Sequence, residues 1–377
     1  MELMDDEART PSGLDPAHRR EPKARPPWGR RWPPRHPRQD GGATHEVRPA
    51  YAALDLGTNN CRLLVARPAR EGFRVIDAFS RIIRLGEGMS ASGRLGEAAI
   101  ERALEALSIC RDKMHNRGVS RARLIATEAC RSAENGMDFR ERVQREVGLD
   151  LEIVDRETEA ELAAIGCTPL MDPHAEGVIL FDIGGGSSEI VRLGRNHPAS
   201  GGPPSPRICG WASLPVGVVT LAERYGGVKV DHALYEAMTE EVQVLVRRFA
   251  AEHCAGLDLK TTHLLGTSGT VTTIAGLHLR LKRYDRRQVD GCWMIDSEVQ
   301  TVLDDLRAMS YDERVASPCI GSERADLVLA GCAILEAIRR VFPCERLRVA
   351  DRGLREGMLV ELMRADNVWA GSHGHAS

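Results

Sequence analysis

In "LFDIGGGSSEIV", Leu180 to Val191, an apolar run ends on a carboxylate, Asp182. Gly184, Gly185 and Gly186 follow, then Ser187, Ser188 and Glu189, where a second apolar run begins. Consecutive N–H groups of a glycine-rich turn can converge on one point, and a phosphate oxygen suits that point. The carboxylate cannot bind phosphate itself. It can hold a Mg²⁺, or a water on that metal, that neutralises the phosphate charge. "ALDLGTNNCRLLVA", Ala53 to Ala66, has the same plan: Asp55 aligns with Asp182, Gly57 with Gly184, and Thr58 and Asn59 supply polar side chains. One such turn could be an ordinary β-turn. Two, each between buried strands, predict a polyphosphate gripped from both sides of a cleft. A third turn runs through Gly266, Ser268 and Gly269 of "THLLGTSGTVTTIAGLHL" into a helix. Glu157, Glu159 and Glu161 share a predicted helix, either as a solvated face or with one carboxylate placed to deprotonate a water.

The elements that must position these residues alternate between strand and helix. "GFRVIDAFSRIIRLG" has period-two patches, and "GEAAIERALEALSICRDKMHNRG" is an amphipathic helix with Ile100, Leu104, Leu107 and Met114 on one face and Gly118 as its stop. "ARLIAT" and "LEIVD" are short strands around the helix "GMDFRERVQREVG". A second strand–turn–strand begins near Val178, interrupted by the surface loop or hairpin tip "GRNHPASGGPPSPR". The helix "HALYEAMTEEVQVLVRRFAAEH" follows, and "RLRVADRGLREGMLVELM" near the end reads strand, turn, helix. This is the pattern of an α/β protein with mixed sheets in two related lobes.

With 377 residues the chain can bury two cores. A net charge of −3 gives no reason to expect nucleic acid as a specific ligand. No apolar run reaches the roughly 18 residues of a membrane span, and the acidic start is unlike a secretory signal, so a cytoplasmic protein is expected. The 10 cysteines include no C-x-x-C pair, as expected of reduced, mostly buried thiols. Residues 1–48, containing "RREPKARPPWGRRWPPRHPR", carry too few aliphatic groups to offset chain entropy and read as a disordered Pro/Arg-rich tail. Another basic run, "RLKRYDRRQVDG" from Arg280 to Gly291, is either a polyanion contact or a solvated surface.

Together, "ALDLGTNNCRLLVA", "ATEACRSAENG", "ETEAELAAIG", "LFDIGGGSSEIV", "LLGTSGTVTTIAG" and "LRVADRGLREGML" resemble the exopolyphosphatase/guanosine pentaphosphate phosphohydrolase (Ppx/GppA) family, of the superfamily of sugar kinases, actin and the Hsp70 ATPase. The resemblance covers Tyr51 to Met363. It implies two ribonuclease-H-like lobes around a cleft: residues 49–155 with the helix 354–365 packing back on them, residues 156–353, and a disordered tail at 366–377. It also implies removal of the terminal phosphate from inorganic polyphosphate, pppGpp or both, in the setting of the stringent response, with Mg²⁺ or another divalent cation and as a homodimer. Glu159 matches the family's general base, and Glu189 the glutamate ending the second phosphate turn, which shares the metal with Asp182 or orients the water. Asp55 is the equivalent carboxylate of the first lobe. Arg131 in "TEACRSAEN" matches an arginine whose fork can take two phosphate oxygens, or can form an interlobe salt bridge. Thr58, Asn59, Ser187 and Ser188 would add hydrogen bonds, and the turn at Gly266, Ser268 and Gly269 lies where the superfamily's kinases hold adenosine phosphates. Asn60 replaces the family's common serine, and the resemblance ends without the extra helical domains that hold long chains in longer members, so reduced processivity is expected. Two other readings stay open: a kinase or ATPase of the superfamily, and a nucleotide-sensing protein that binds without turnover.

Overall fold

The computed structural model describes residues 48–70, 72–196 and 205–369; the expected N-terminal tail up to 47 and the hairpin tip at 197–204 lie outside the described residues. The first sheet contains β1 (Ala50–Leu56), β2 (Asn60–Pro68), β3 (Phe73–Ile82), β4 (Val119–Ala126) and β5 (Glu152–Ile153), in the order β3-β2-β1-β4-β5. β1 to β3 form an antiparallel meander, and β4 joins β1 in parallel after the helix Glu97–Asn116 crosses over. The second sheet contains β6 (Gly177–Ile183), β7 (Ser188–Asn196), β8 (Ser205–Leu214), β9 (Thr262–Thr267), β10 (Trp293–Ile295) and β11 (Arg346–Ala350). Its order, β10-β11-β9-β6-β7-β8, repeats the first strand for strand when taken from β8 to β11, with β10 added antiparallel at the edge. Register repeats as well: Asp55 lies opposite Arg62 as Asp182 lies opposite Glu189. The expected pair of related α/β lobes with mixed sheets is what the chain forms.

The central strands β1 and β6 are apolar on both faces because both faces are covered. The outer face of the first sheet packs on Ile100, Leu104, Leu107 and Met114 of the helix Glu97–Asn116. Beyond the second sheet lie the helices His232–His253, Ser268–His278 and Val328–Val341. Between the sheets lie two helices. Leu354–Ala365 sets Met358, Leu359 and Leu362 against Tyr51, Ala53 and Leu64 of the first sheet. Arg156–Cys167 sets Ala160, Ala164 and Cys167 against Val178, Leu180 and Leu265 of the second. The pair cross in backbone contact: a Cβ on Gly166 would lie 2.0 Å from the Gly353 carbonyl oxygen, and one on Gly357 2.0 Å from that of Leu162. The first part of the expected C-terminal tail is instead docked. Asp366 accepts from Tyr51 at 2.8 Å and pairs with Arg121, while the Trp369 indole donates to the carbonyls of Ala69 and Gly72 at 3.2 and 3.1 Å. An indole and a carboxylate hold this segment to its partners on the first sheet, and the rest of the expected tail, 370–377, lies outside the described residues. No helix among the described residues is long and apolar enough to cross a membrane.

Candidate active site

The two glycine-bearing turns are one device built twice. Gly57 N–H donates to the Asn60 carbonyl at 2.9 Å, and Gly184 N–H to the Ser187 carbonyl at 3.0 Å. The carbonyls inside each turn are tied back by the segment that follows the third strand of the same meander. Ile83 and Arg84 hold the Asn59 oxygen and Gly86 that of Thr58, as Val218 and Val219 hold those of Gly184 and Gly185. A glycine loop is thereby fixed without side chains of its own. The N–H groups of Thr58, Asn59, Gly185 and Gly186 have no acceptor among the described residues, and all four residues line one cavity. The turns meet across the cleft: a Cβ on Gly186 would lie 2.8 Å from Thr58 Oγ1, and one on Gly185 3.2 Å from Asn59 N. Hydrogen at those positions lets the two turns approach without displacing Thr58 or Asn59.

Five carboxylates line the same cavity: Glu128, which is paired with Arg131 and Arg156, and Asp55, Glu159, Asp182 and Glu189. Asp155 caps the helix Arg156–Cys167 by accepting from Thr158 N–H at 2.8 Å, which places Glu159 in the first turn and aims it at the cavity, while Glu157 and Glu161 point to solvent. Glu159 accepts from Arg131 at 3.1 Å. Burial pushes Glu159 well above the usual carboxylate range, the charge of Glu189 adds to this, and Arg131 opposes it. Glu189 accepts from the hydroxyls of Ser187 at 2.8 Å and Ser213 at 3.0 Å, yet burial and the charge of Asp182 push it up to about 7. Asp182 is raised to about 6 by burial, against the pull of Arg62. Asp55 is also raised by burial, again against Arg62. A packed set of carboxylates with too little compensating charge is a site arranged for a cation, for protons, or for both.

Among the described residues no three His, Cys, Asp or Glu side chains are grouped to ligate a metal by themselves. Mg²⁺ is commonly held by one or two carboxylates together with waters and substrate phosphates, and Asp55 and Asp182 fit that more open arrangement. The Oδ1 atoms of Asn59 and Asn60 are buried without partners, and both side chains line the cavity, so acceptors for a cation's waters stand ready on the first turn.

Three expected residues are elsewhere. Arg131 is off the cavity wall, because its guanidinium is engaged by Glu159, Glu128 and the Val154 carbonyl at 2.7 Å. Ser188 points away, since strand alternation directs its hydroxyl to the Val216 carbonyl at 2.7 Å. Gly266 is a packing position: a Cβ there would lie 2.7 Å from the Phe181 ring. Ser268 and Gly269 do line the cavity, with Ser268 held at φ 80 by a 2.7 Å bond to the Ile183 carbonyl. Sequence reading missed Arg62, Glu128, Ser213 and Arg324. Aligning the two turns would have exposed Arg62, which occupies the position of Glu189 in the first copy. The lobes are also bridged outside the cavity. Arg84 donates to Asp326 at 2.9 and 3.1 Å and to the Glu323 carbonyl at 3.1 Å, and Glu223 accepts from Gly88 N–H at 2.8 Å and from Ser90.

The profile of the Ppx/GppA phosphatase family matches residues 64–366. The matched span begins after the first phosphate turn, whose equivalence to the second rests on register and hydrogen bonding. A guanosine-5'-triphosphate,3'-diphosphate pyrophosphatase of Aeromonas salmonicida is 26% identical over 84% of this chain, which spans only 60% of that protein's length. Exopolyphosphatase 2 of Mycobacterium tuberculosis is 28% identical over 82% of this chain and 98% of its own. The crystal structure of the Aquifex aeolicus member of the Ppx/GppA family superposes with a TM-score of 0.69 at 28% identity, covering 85% of this chain and 99% of that one.

Proposed function

The chain belongs to the Ppx/GppA phosphatase family, and from that premise we infer that it removes the terminal phosphate from inorganic polyphosphate, pppGpp or both, by attack of water. The observation that carries this reading is the meeting of Glu159 with two sets of unused N–H groups in one cavity. That cavity measures ≈130 Å³. Sites that enclose a whole drug-sized ligand measure roughly 300–1,000 Å³. The cavity therefore suits the end of a substrate, one phosphoryl group and its water.

The N–H groups of Thr58, Asn59, Gly185 and Gly186 hold phosphoryl oxygens, and their charge stabilisation grows as negative charge shifts onto those oxygens. Glu159 orients the attacking water and takes its proton. A base whose proton affinity is raised by burial does this better than a surface glutamate. Arg131 is a positioning residue, fixing the Glu159 carboxylate from behind. Glu189, anchored by Ser187 and Ser213, holds a second proton-accepting oxygen beside it. A Mg²⁺ carried by Asp55 and Asp182 would neutralise substrate charge. No covalent intermediate is needed, since positioning and electrostatics supply the acceleration.

The test is phosphate release from long polyphosphate, pppGpp and ATP in the presence of Mg²⁺. Glu159→Gln is expected to lower turnover on polyphosphate or pppGpp by roughly 10²–10⁴. Release from ATP alone, or turnover indifferent to Glu159, would return the protein to the ATPase or binding-protein readings.

A further inference from the structure

Each phosphate turn aims an N–H group at the cavity from a peptide unit whose carbonyl is held from behind. In the second turn that unit joins Gly185 to Gly186, and the Gly185 carbonyl accepts from Val219 N–H at 2.9 Å and Thr220 N–H at 3.4 Å. Those donors open the helix Val218–Tyr225, so the positive end of a helix stands behind the turn. In the first turn the unit joins Thr58 to Asn59, and the Thr58 carbonyl accepts from Gly86 N–H at 2.9 Å. Gly86 lies outside any helix. It sits in a tight turn closed by Glu87 N–H, which donates to the Arg84 carbonyl at 3.1 Å.

A guanidinium from the outer layer of the lobe fixes that tight turn. Arg102, on the helix Glu97–Asn116, donates through Nε to the Ile83 carbonyl at 2.8 Å. Its Nη2 reaches the Arg84 carbonyl at 3.3 Å and the Glu87 carboxylate at 2.8 Å. The two carbonyls lie on either side of Arg84, which is held at φ 46. A non-glycine residue keeps that left-handed conformation only where its surroundings impose it. By gripping both carbonyls, Arg102 sets the two peptide planes that meet at Arg84.

Burial alone would not do this. Ile83 and Leu85 put their side chains into the core of the first lobe, which places the segment but leaves its peptide planes free to tilt. The far end of the first gripped plane is the Arg84 N–H, which donates to the Asn59 carbonyl at 3.1 Å beside Ile83 N–H at 2.9 Å. Arg102 is therefore two hydrogen bonds from the phosphate turn, and its charge polarises the chain that leads there. It takes no part in the cavity wall itself.

We propose that Arg102 is a positioning residue for the first phosphate turn, doing with a side chain what a helix start does for the second. Through the 83–87 segment it aims the Asn59 N–H at the phosphoryl group. The assignment rests on the cavity being a site of phosphate removal, where that N–H counts most as charge develops on the oxygen it faces.

The experiment compares the full chain with Arg102→Met and Arg102→Lys, and with Arg142→Met as a control. Arg142 forms its ion pairs with Glu97 and Glu101 of the same helix and with Glu146, not with the 83–87 segment. Arg102→Met should lower kcat roughly 10-fold with KM changed less than about 3-fold, and Arg102→Lys, which keeps the charge without the fork, should recover part of the loss. Amide hydrogen exchange should quicken at 58–60 and 83–87 in Arg102→Met, whereas Arg142→Met should leave kcat and both segments as in the wild type. A kcat unchanged in Arg102→Met, or lowered equally in Arg142→Met, overturns the positioning role and leaves the phosphohydrolase reading standing. If the wild type itself releases no phosphate, that reading falls, and exchange in the presence of inorganic phosphate decides the rest. Protection of 58–60 by phosphate that Arg102→Met loses keeps Arg102 as the support of an anion-binding turn, and equal protection in both proteins overturns it. If Arg102→Met fails to fold, Arg102→Lys carries the same readouts with smaller changes.

Discussion

Glu189 shows what a reactive arrangement costs the free protein. Its carboxyl group is almost wholly buried beside Asp182 and raised from 4.5 to about 7. A carboxylate whose folded pKa exceeds its unfolded value contributes stability below the unfolded value and loses it as pH rises through the folded one. Wild type should therefore lose stability between about pH 4.5 and 7 from this group. Glu189→Gln, which cannot ionise, should unfold at higher temperature than wild type at pH 8 in the metal-free state, by on the order of 1–3 kcal/mol. The difference should vanish near pH 4, and the variant should lose phosphate release. Equal stability at both pH values would show that the Glu189 charge is already compensated. Several site residues were legible one by one. Asp55 and Asp182 announce themselves by ending apolar runs at glycine turns, and Glu159 by its motif. Arg62 and Ser213 were not, because each sits in a strand where only the register with a neighbour decides which side chain reaches the cavity. Arg131 was legible as a site residue, but which atoms its fork engages depends on Glu159, brought to it from a separate helix.

At the scale of elements, the site depends on how closely two helices can cross. Arg156–Cys167 delivers Glu159, and Leu354–Ala365 borders the cavity at Leu354, each packed on a different sheet. Gly357 lets them touch, since any Cβ there would lie 2.0 Å from the Leu162 carbonyl oxygen. Backbone cannot yield as a flexible side chain can. Gly357→Ala should cost roughly 1–3 kcal/mol in denaturant unfolding and depress turnover together with it, as the helices are forced apart. Unfolding indistinguishable from wild type would show that the crossing relaxes freely. The strand–turn–strand repeat was plain in the sequence because each copy carries its own local signals. The helix crossing was invisible there. Its two members lie at opposite ends of the folded chain, and a glycine inside a helix pattern does not say which backbone it faces.

For the whole molecule, the two lobes meet through the paired helices at one side of the cleft and through Arg84–Asp326 and the Glu223 contacts at the other. The Arg84 and Asp326 side chains are partly exposed, at 32% and 25%. Such a bridge is worth about 1 kcal/mol or less and weakens with salt. It can therefore open readily while the helix pair stays packed. Between these two connections, Gly185 and Gly186 lie against Thr58 and Asn59, tightly enough that a Cβ on either would press on Thr58. Release of an orthophosphate ion past that apposition would need the lobes to part, a separation step against solvent drag. Turnover at saturating substrate should then fall as sucrose raises the viscosity of the medium. Arg84→Ala, with the rim contact removed, should be less sensitive to sucrose than wild type. A turnover number that ignores viscosity in both proteins would mean that bond cleavage, and not the escape of its product, sets the pace.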